Sequence, residues 1–277
     1  MHPVRVLKTS TAVAALLICA AATQTEAQDV RLTPEQQRNF LLTAKVVNSR
    51  PIGLGITGSL RLTLTNGTLT HDASFQTIDD RTSEAARRRR ERRAGELNFV
   101  DSYKYNIAAY EISRLLGLDD MMPVTVERRW QGRVGSLTWW VDDVLMDEAG
   151  REKSPSQPSR PLEFHQQRMK MMVFAELVGD VDRNKGNILY TSGWRVVMID
   201  FTRAFRLHRE LREPGTLTSI ERALWQRLQG LTRDTLRRAT DRYLMLEETG
   251  GVMRRHASLI EHYTRLISER GESVVLY

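Results

Sequence analysis

Cysteine is nearly missing: the 277 residues contain one, Cys19. It lies in a segment that reads as removable, so a mature chain would have no disulfide, thiol nucleophile or Cys-based zinc site. The six histidines are scattered and form no His-x-x-x-His pair, so no helical zinc motif is present and none is assigned to a metal. Gly-x-Ser-x-Gly is absent, which removes the nucleophile elbow of a hydrolase. No internal repeat or low-complexity tract appears, which argues against a solenoid. Long apolar runs are lacking too. The main candidate, residues 12–22, is too short to span a bilayer comfortably; Arg5 and Lys8 precede it and Thr25-Glu26-Ala27 follows. That order is the pattern of a signal peptide, with residues 1–27 removed, no transmembrane helix left after cleavage, and the protein exported to a periplasmic or extracellular location.

What remains has a globular composition, 41% hydrophobic and 27% charged. The net charge of +7 favours anionic partners without choosing among nucleic acid, phospholipid and nucleotide. The densest cationic run, Arg87-Arg88-Arg89-Arg90-Glu91-Arg92-Arg93, belongs to a charged insertion over residues 79–96. No aromatic residue is interleaved with it, so it reads as solvated and gives no clear nucleic-acid signal.

Along the chain, strands come first and helices later. Thr33-Pro34-Glu35 is a helix start. Leu60, Leu62 and Leu64 alternate with Arg61, Thr63 and Thr65, and Asn66-Gly67 then predicts a hairpin into a strand over 69–78. Helical spacing covers 106–116 and Gly117 ends it. Two further strands flank Gln131-Gly132. Residues 149–161, with three prolines, read as a connection between lobes. Beyond it helices are predicted over 163–178, 219–230, 233–248 and 251–268. The expected fold class is α+β, with a strand-rich N-lobe over 28–148 and a mainly helical C-lobe over 149–277.

The residues that carry chemistry lie near the middle. Asp182, Asn187 and Asp200 are spaced +5 and +13. Between the last two, an apolar run, Ser192-Gly193 and Val196-Val197-Met198-Ile199 predict a β-hairpin that folds Asp200 back beside Asn187. Phosphoryl transfer uses such a set: an Asp to accept the hydroxyl proton, and an Asn and an Asp to hold Mg²⁺ on the phosphates. Upstream, Gly53-Leu54-Gly55-Ile56-Thr57-Gly58 matches Gly-x-Gly-x-x-Gly. A strand follows it rather than a helix, which suits a glycine-rich hairpin over phosphates better than a dinucleotide fold. A plain β-turn is the other reading. Asp180, Asp182 and Asn184 also occupy positions 1, 3 and 5 of an EF-hand-like pattern, but glycine falls at position 7 and Thr191 at position 12. A Ca²⁺-binding module and an inert capped turn therefore stay as competing readings.

These motifs, with Asn106-Ile107-Ala108-Ala109-Tyr110-Glu111 leading to Leu115-Leu116-Gly117-Leu118, resemble the atypical kinase-like families: phosphatidylinositol 3-/4-kinases, HipA-type kinases, and the four-jointed and secretory-pathway casein kinases. The resemblance covers residues 53–205. It implies a two-lobed protein-kinase-like fold with ATP and Mg²⁺ or Mn²⁺ as cofactors, and a hydroxyl acceptor on a protein, lipid or small molecule. By it Asp182 is the catalytic base and Asn187 and Asp200 are metal ligands. Gly53, Gly55 and Gly58 cover the phosphates, and Glu111 pairs with a phosphate-binding lysine. The chain departs from the pattern at that lysine, where Gln76 stands, and Thr202 replaces the glycine of Asp-Phe-Gly. Gln76 donates hydrogen bonds but carries no charge; Lys45 and Lys104 are the nearby cations available to substitute. A non-catalytic, pseudokinase-like binding protein of the cell envelope is accordingly the alternative. Trp139-Trp140 reads either as an adenine contact or as core, and Arg203 either as a phosphate contact or as a salt bridge.

Overall fold

The computed structural model describes residues 32–53, 58–80, 100–180 and 183–277. The expected signal peptide, most of the arginine-rich insertion, Gly55 and Asp182 lie outside the described residues.

Thr33 opens α1 (Pro34–Thr43) as predicted: its hydroxyl accepts from the Gln36 N–H, and Gln36 returns the bond to the Thr33 N–H. Five antiparallel strands follow: β1 (Lys45–Pro51), β2 (Leu60–Thr65), β3 (Thr70–Gln76), β4 (Thr125–Trp130) and β5 (Arg133–Trp139), in the order β1-β2-β3-β5-β4. The alternation in β2 is realised, with Leu62 and Leu64 wholly buried. Gln131 and Gly132 both take positive φ, 47° and 77°, which closes the β4–β5 hairpin tightly.

Register decides which residues meet. Pro51 pairs with Leu60, and Leu60 with Phe75. Gly53 and Gly58 therefore sit at the same end of the sheet as Gln76. Lys45 pairs with Thr65 at the opposite end. Five residues of strand separate the two ends, about 17 Å, so Lys45 does not serve the glycine end.

Helix α2 (Tyr103–Leu116) packs between β4 and β5 on one side and the helices α5 (Arg222–Gln229) and α6 (Arg233–Thr240) on the other. It is buried almost all round, including every residue from Tyr105 to Tyr110. Ile107, Ile112 and Leu116 are at most 1% exposed, each contributing about 1.5–3 kcal/mol of burial. Gly117, at φ 66°, stops the helix.

The second half carries a three-stranded sheet of β6 (Val144–Asp147), β7 (Ile188–Thr191) and β8 (Val196–Met198), in that order, beside α3 (Glu148–Lys153) and α4 (Pro161–Val178). The long α7 (Leu246–Arg270) and the short α8 (Glu272–Val275) complete it. Two expectations need correction. The segment 149–161 is not wholly a connection, because Asp147 accepts from the Gly150 N–H and starts α3. The helix expected over 233–248 breaks after Thr240, where Tyr243 and Leu244 turn inward and both bond back to the Thr240 carbonyl. Among the described residues no helix is long and apolar enough to cross a membrane.

Candidate active site

The β7–β8 hairpin forms as the sequence predicts. Ile188 pairs with Met198, and the Ile199 N–H donates to the Asn187 carbonyl at 3.1 Å. Asn187 and Ile199, the residue before Asp200, thus meet at one end of the hairpin. Asn187 closes a single 3₁₀ turn (Lys185–Asn187) capped by the Asn184 side chain, which accepts from the Gly186 N–H at 2.9 Å.

Asp200 adopts φ 54°, a left-handed conformation that is uncommon outside glycine and that Asp and Asn tolerate better than most residues. The restraints are visible on every side. The Arg183 guanidinium donates to the carbonyls of Ile199 and Asp200 at 2.5 and 2.7 Å and stacks 4.4 Å over the Phe201 ring. Its Nε lies 3.0 Å from Asp180, a carboxylate only 1% exposed. The Phe201 N–H donates to the Asn106 side-chain oxygen at 2.7 Å. The Asp200 carboxylate accepts from the Thr202 N–H and hydroxyl at 3.3 and 2.8 Å. Sequence reasoning missed Arg183; the polar residue next to Asp182 gave no sign that it would brace residue 200.

The larger revision concerns Glu111. Its carboxylate faces Arg38 of α1 at 3.2 Å and Arg114 at 2.9 Å, while the helix residue that meets Gln76 is Asn106. The Asn106 amide donates to the Gln76 oxygen and to the Ser136 hydroxyl. Both amides are buried, at 5% and 9% exposure. Residues 106 and 111 lie about 140° apart around a helix, so they face different neighbours. A polar residue within the otherwise apolar stretch 105–110 was the available signal: such a residue must find partners. Gly135 contributes by having no side chain, since a Cβ there would sit 2.3 Å from the Gln76 carbonyl.

Of the two substitute lysines, Lys104 pairs with Asp79 at 3.4 Å in the first turn of α2. Arg203 pairs with Asp101 at 2.7 Å, the salt-bridge reading. That end of α2 is tied to the hairpin by Ser102 N–H to Thr202 O at 2.9 Å. Trp139 stacks on His71, with ring centroids 3.7 Å apart, and Arg61 lies 3.9 Å over Trp140.

Behind the loop, Gly179 ends α4 at φ 63°. Arg255 of α7, wholly buried, donates to the carbonyls of Leu177, Arg206 and His208 at 2.6–3.0 Å. It fastens the chain before Asp182 to the chain beyond Asp200. A cavity of about 350 Å³ adjoins this region, lined by Glu176, Gly179, Asp180, Arg183, His208 and Arg212 among others. His208 is held down to about 4 by burial and by the charges of Arg255, Arg212 and Arg206.

Among the described residues no cluster of three His, Cys, Asp or Glu side chains gathers. The expected metal donors are a carboxamide and a carboxylate, with Asp182 the third oxygen donor nearby in sequence.

Two solved structures share this architecture. Hydra Fam20, solved with sugar, superposes with a TM-score of 0.64 at 12% identity, over 88% of this chain and 91% of that one. The Helicobacter pylori proinflammatory kinase CtkA gives a TM-score of 0.51 at 9% identity, over 82% and 98%. The fold is kinase-like. At these identities the likeness speaks for the kinase-like α+β fold alone, with its antiparallel sheet first and helices after. No family model matches the sequence, and no curated protein matches it.

Proposed function

We propose that the chain is an exported phosphotransferase that uses ATP and a divalent metal to phosphorylate a hydroxyl acceptor. The observation that supports this reading is the hairpin that bonds the Asn187 carbonyl to the Ile199 N–H, one residue before Asp200, with Asp200 at φ 54° between the contacts of Arg183 and Asn106. The donors fit the group: a carboxylate and a carboxamide oxygen are hard ligands suited to Mg²⁺ or Mn²⁺. When bound, such an ion neutralises phosphate charge as the phosphoryl group moves.

The chain's own residues supply the rest. Gly53 and Gly58 flank the end of the sheet where Gln76 lies, the position for a glycine-rich cover over phosphates. Asp182 orients the acceptor hydroxyl and takes its proton. Arg183, its neighbour in sequence, keeps residues 199 and 200 fixed, so little rearrangement is needed when phosphate charge arrives. The acceptor is a protein, lipid or small molecule bearing a hydroxyl.

The test is ATP turnover by the purified chain with Mn²⁺, against Asp182→Ala and Asp200→Ala. Both variants should lose turnover by at least a hundredfold while keeping the parent's melting temperature within a few degrees. Turnover equal to the parent in either variant overturns the assignment. Nucleotide binding without turnover in the parent would instead favour a non-catalytic binding protein. Export is checked by mass spectrometry of the mature N-terminus from fractionated cells, which should begin at residue 28.

A further inference from the structure

The orientation of two buried amides follows from one backbone group. The Phe201 N–H can only donate, so the Asn106 atom it meets is the oxygen. The Asn106 nitrogen must then face Gln76 and Ser136, so Gln76 presents its oxygen to Asn106. The Gln76 NH₂ is left directed away from the helix, and no residue among those described accepts a hydrogen bond from it. It sits at the end of the sheet next to Gly58.

From this arrangement, and resting on the nucleotide reading above, we propose that Gln76 is a charge-free phosphate donor, fixed by Asn106, and that the site takes its nucleotide only as a divalent-metal complex. The cation at Lys45 is at the far end of the sheet, and Lys104 and Arg203 are engaged with Asp79 and Asp101. A neutral amide can hydrogen-bond a phosphate oxygen but cannot offset the triphosphate's charge. With these three cations distant or engaged, charge compensation falls, among the described residues, to the divalent ion that Asn187 and Asp200 would hold. The same chain of bonds links the phosphate end to Asp200, because Asn106 holds both Gln76 and the peptide that follows Asp200.

The amide logic yields near-isosteric variants, each held below its own melting transition and read by the Kd of a fluorescent non-hydrolysable ATP analogue in Mn²⁺ or in EDTA. The parent should bind at least a hundredfold more tightly with Mn²⁺. Asn106→Asp still accepts from Phe201 but now also demands a donor from Gln76. That turns the Gln76 oxygen outward, and Mn²⁺–nucleotide binding should weaken at least tenfold. Gln76→Glu keeps the acceptor for Asn106 while removing the outward donor, and should weaken binding similarly. Gln76→Lys with Asn106→Asp installs an ion pair and should bind at least tenfold better than the parent in EDTA. Parent-like Mn²⁺ binding by both Gln76→Glu and Asn106→Asp overturns the proposal, as does tight metal-free binding by the parent. If Asp200→Ala loses binding while those two retain it, Gln76 fails and the site stands. If Asp200→Ala also binds like the parent, the nucleotide reading itself has failed.

Discussion

Gly179→Ala tests how the two halves of the site are fastened. An added Cβ would lie 2.6 Å from the Arg255 Cζ and 2.7 Å from its Nη2, in a wall where the guanidinium is fully buried. Two costs combine. Alanine at φ 63° is strained by about 1–2 kcal/mol. Arg255 must also shift, and weakening one of its charged bonds to the carbonyls of Leu177, Arg206 and His208 costs about 1.5–3 kcal/mol. The sum is roughly 2.5–5 kcal/mol, which for a unit of this size is roughly 5–20 °C of melting temperature. The double variant Gly179→Ala/Arg255→Met separates the two costs. Methionine leaves room for the new methyl, so the pair should be less than additive by about 1 kcal/mol or more. Urea melts of all four proteins measure this. A loss under about 3 °C for Gly179→Ala, or strict additivity, would refute the argument that the glycine exists to admit the guanidinium.

Glu148, 8% exposed, accepts from Arg151, Arg168 and Tyr190; burial alone would raise its carboxyl, but these partners hold it down to about 2 from 4.5. Its folded value is depressed, so the stability it contributes is present above about 4.5 and lost as pH falls toward 2, on the order of 3 kcal/mol. Glu148→Gln should flatten acid unfolding in that window, as followed by circular dichroism. His208 titrates near about 4 in the fold against 6.5 in the open chain, so the unfolded state binds the proton first and stability falls as pH drops between those values. His208→Asn should remove that slope and leave the Glu148 window intact. Arg183→Met removes the donors to Ile199 and Asp200; the Mn²⁺-induced rise in melting temperature should require about tenfold more metal, and an unchanged titration counts against the brace.

Much of the fold was legible because local chemistry and tertiary need agree there. The alternation of β2, the turn at Asn66-Gly67, the positive-φ pair Gln131-Gly132 and the stop at Gly117 each answer to one stretch of chain. The helix break after Thr240 was not legible. It depends on Tyr243 and Leu244 finding burial, and no periodicity within 233–248 announces that. The hairpin that joins Asn187 to Ile199 was readable from spacing, whereas Arg183 was not, because its partners are backbone carbonyls that carry no sequence signature.

The pairing of Gln76 with Asn106 shows why a site should be read two residues at a time. Position 76 alone looks like a lost lysine, and position 106 alone looks like an awkward polar residue in a buried helix. Buried together at 9% and 5% exposure, they share a hydrogen bond in which neither side carries charge. Changing either one to its charged counterpart leaves an uncompensated ion beside a neutral amide, a cost of several kcal/mol. Changing both restores balance. A single gain of lysine at 76 should therefore destabilise the protein unless Asn106→Asp accompanies it, and melting temperatures of the two single variants and the pair decide the matter without any nucleotide present. If Gln76→Lys alone melts like the parent, the two side chains are not energetically joined, and the neutral pair is a coincidence of packing.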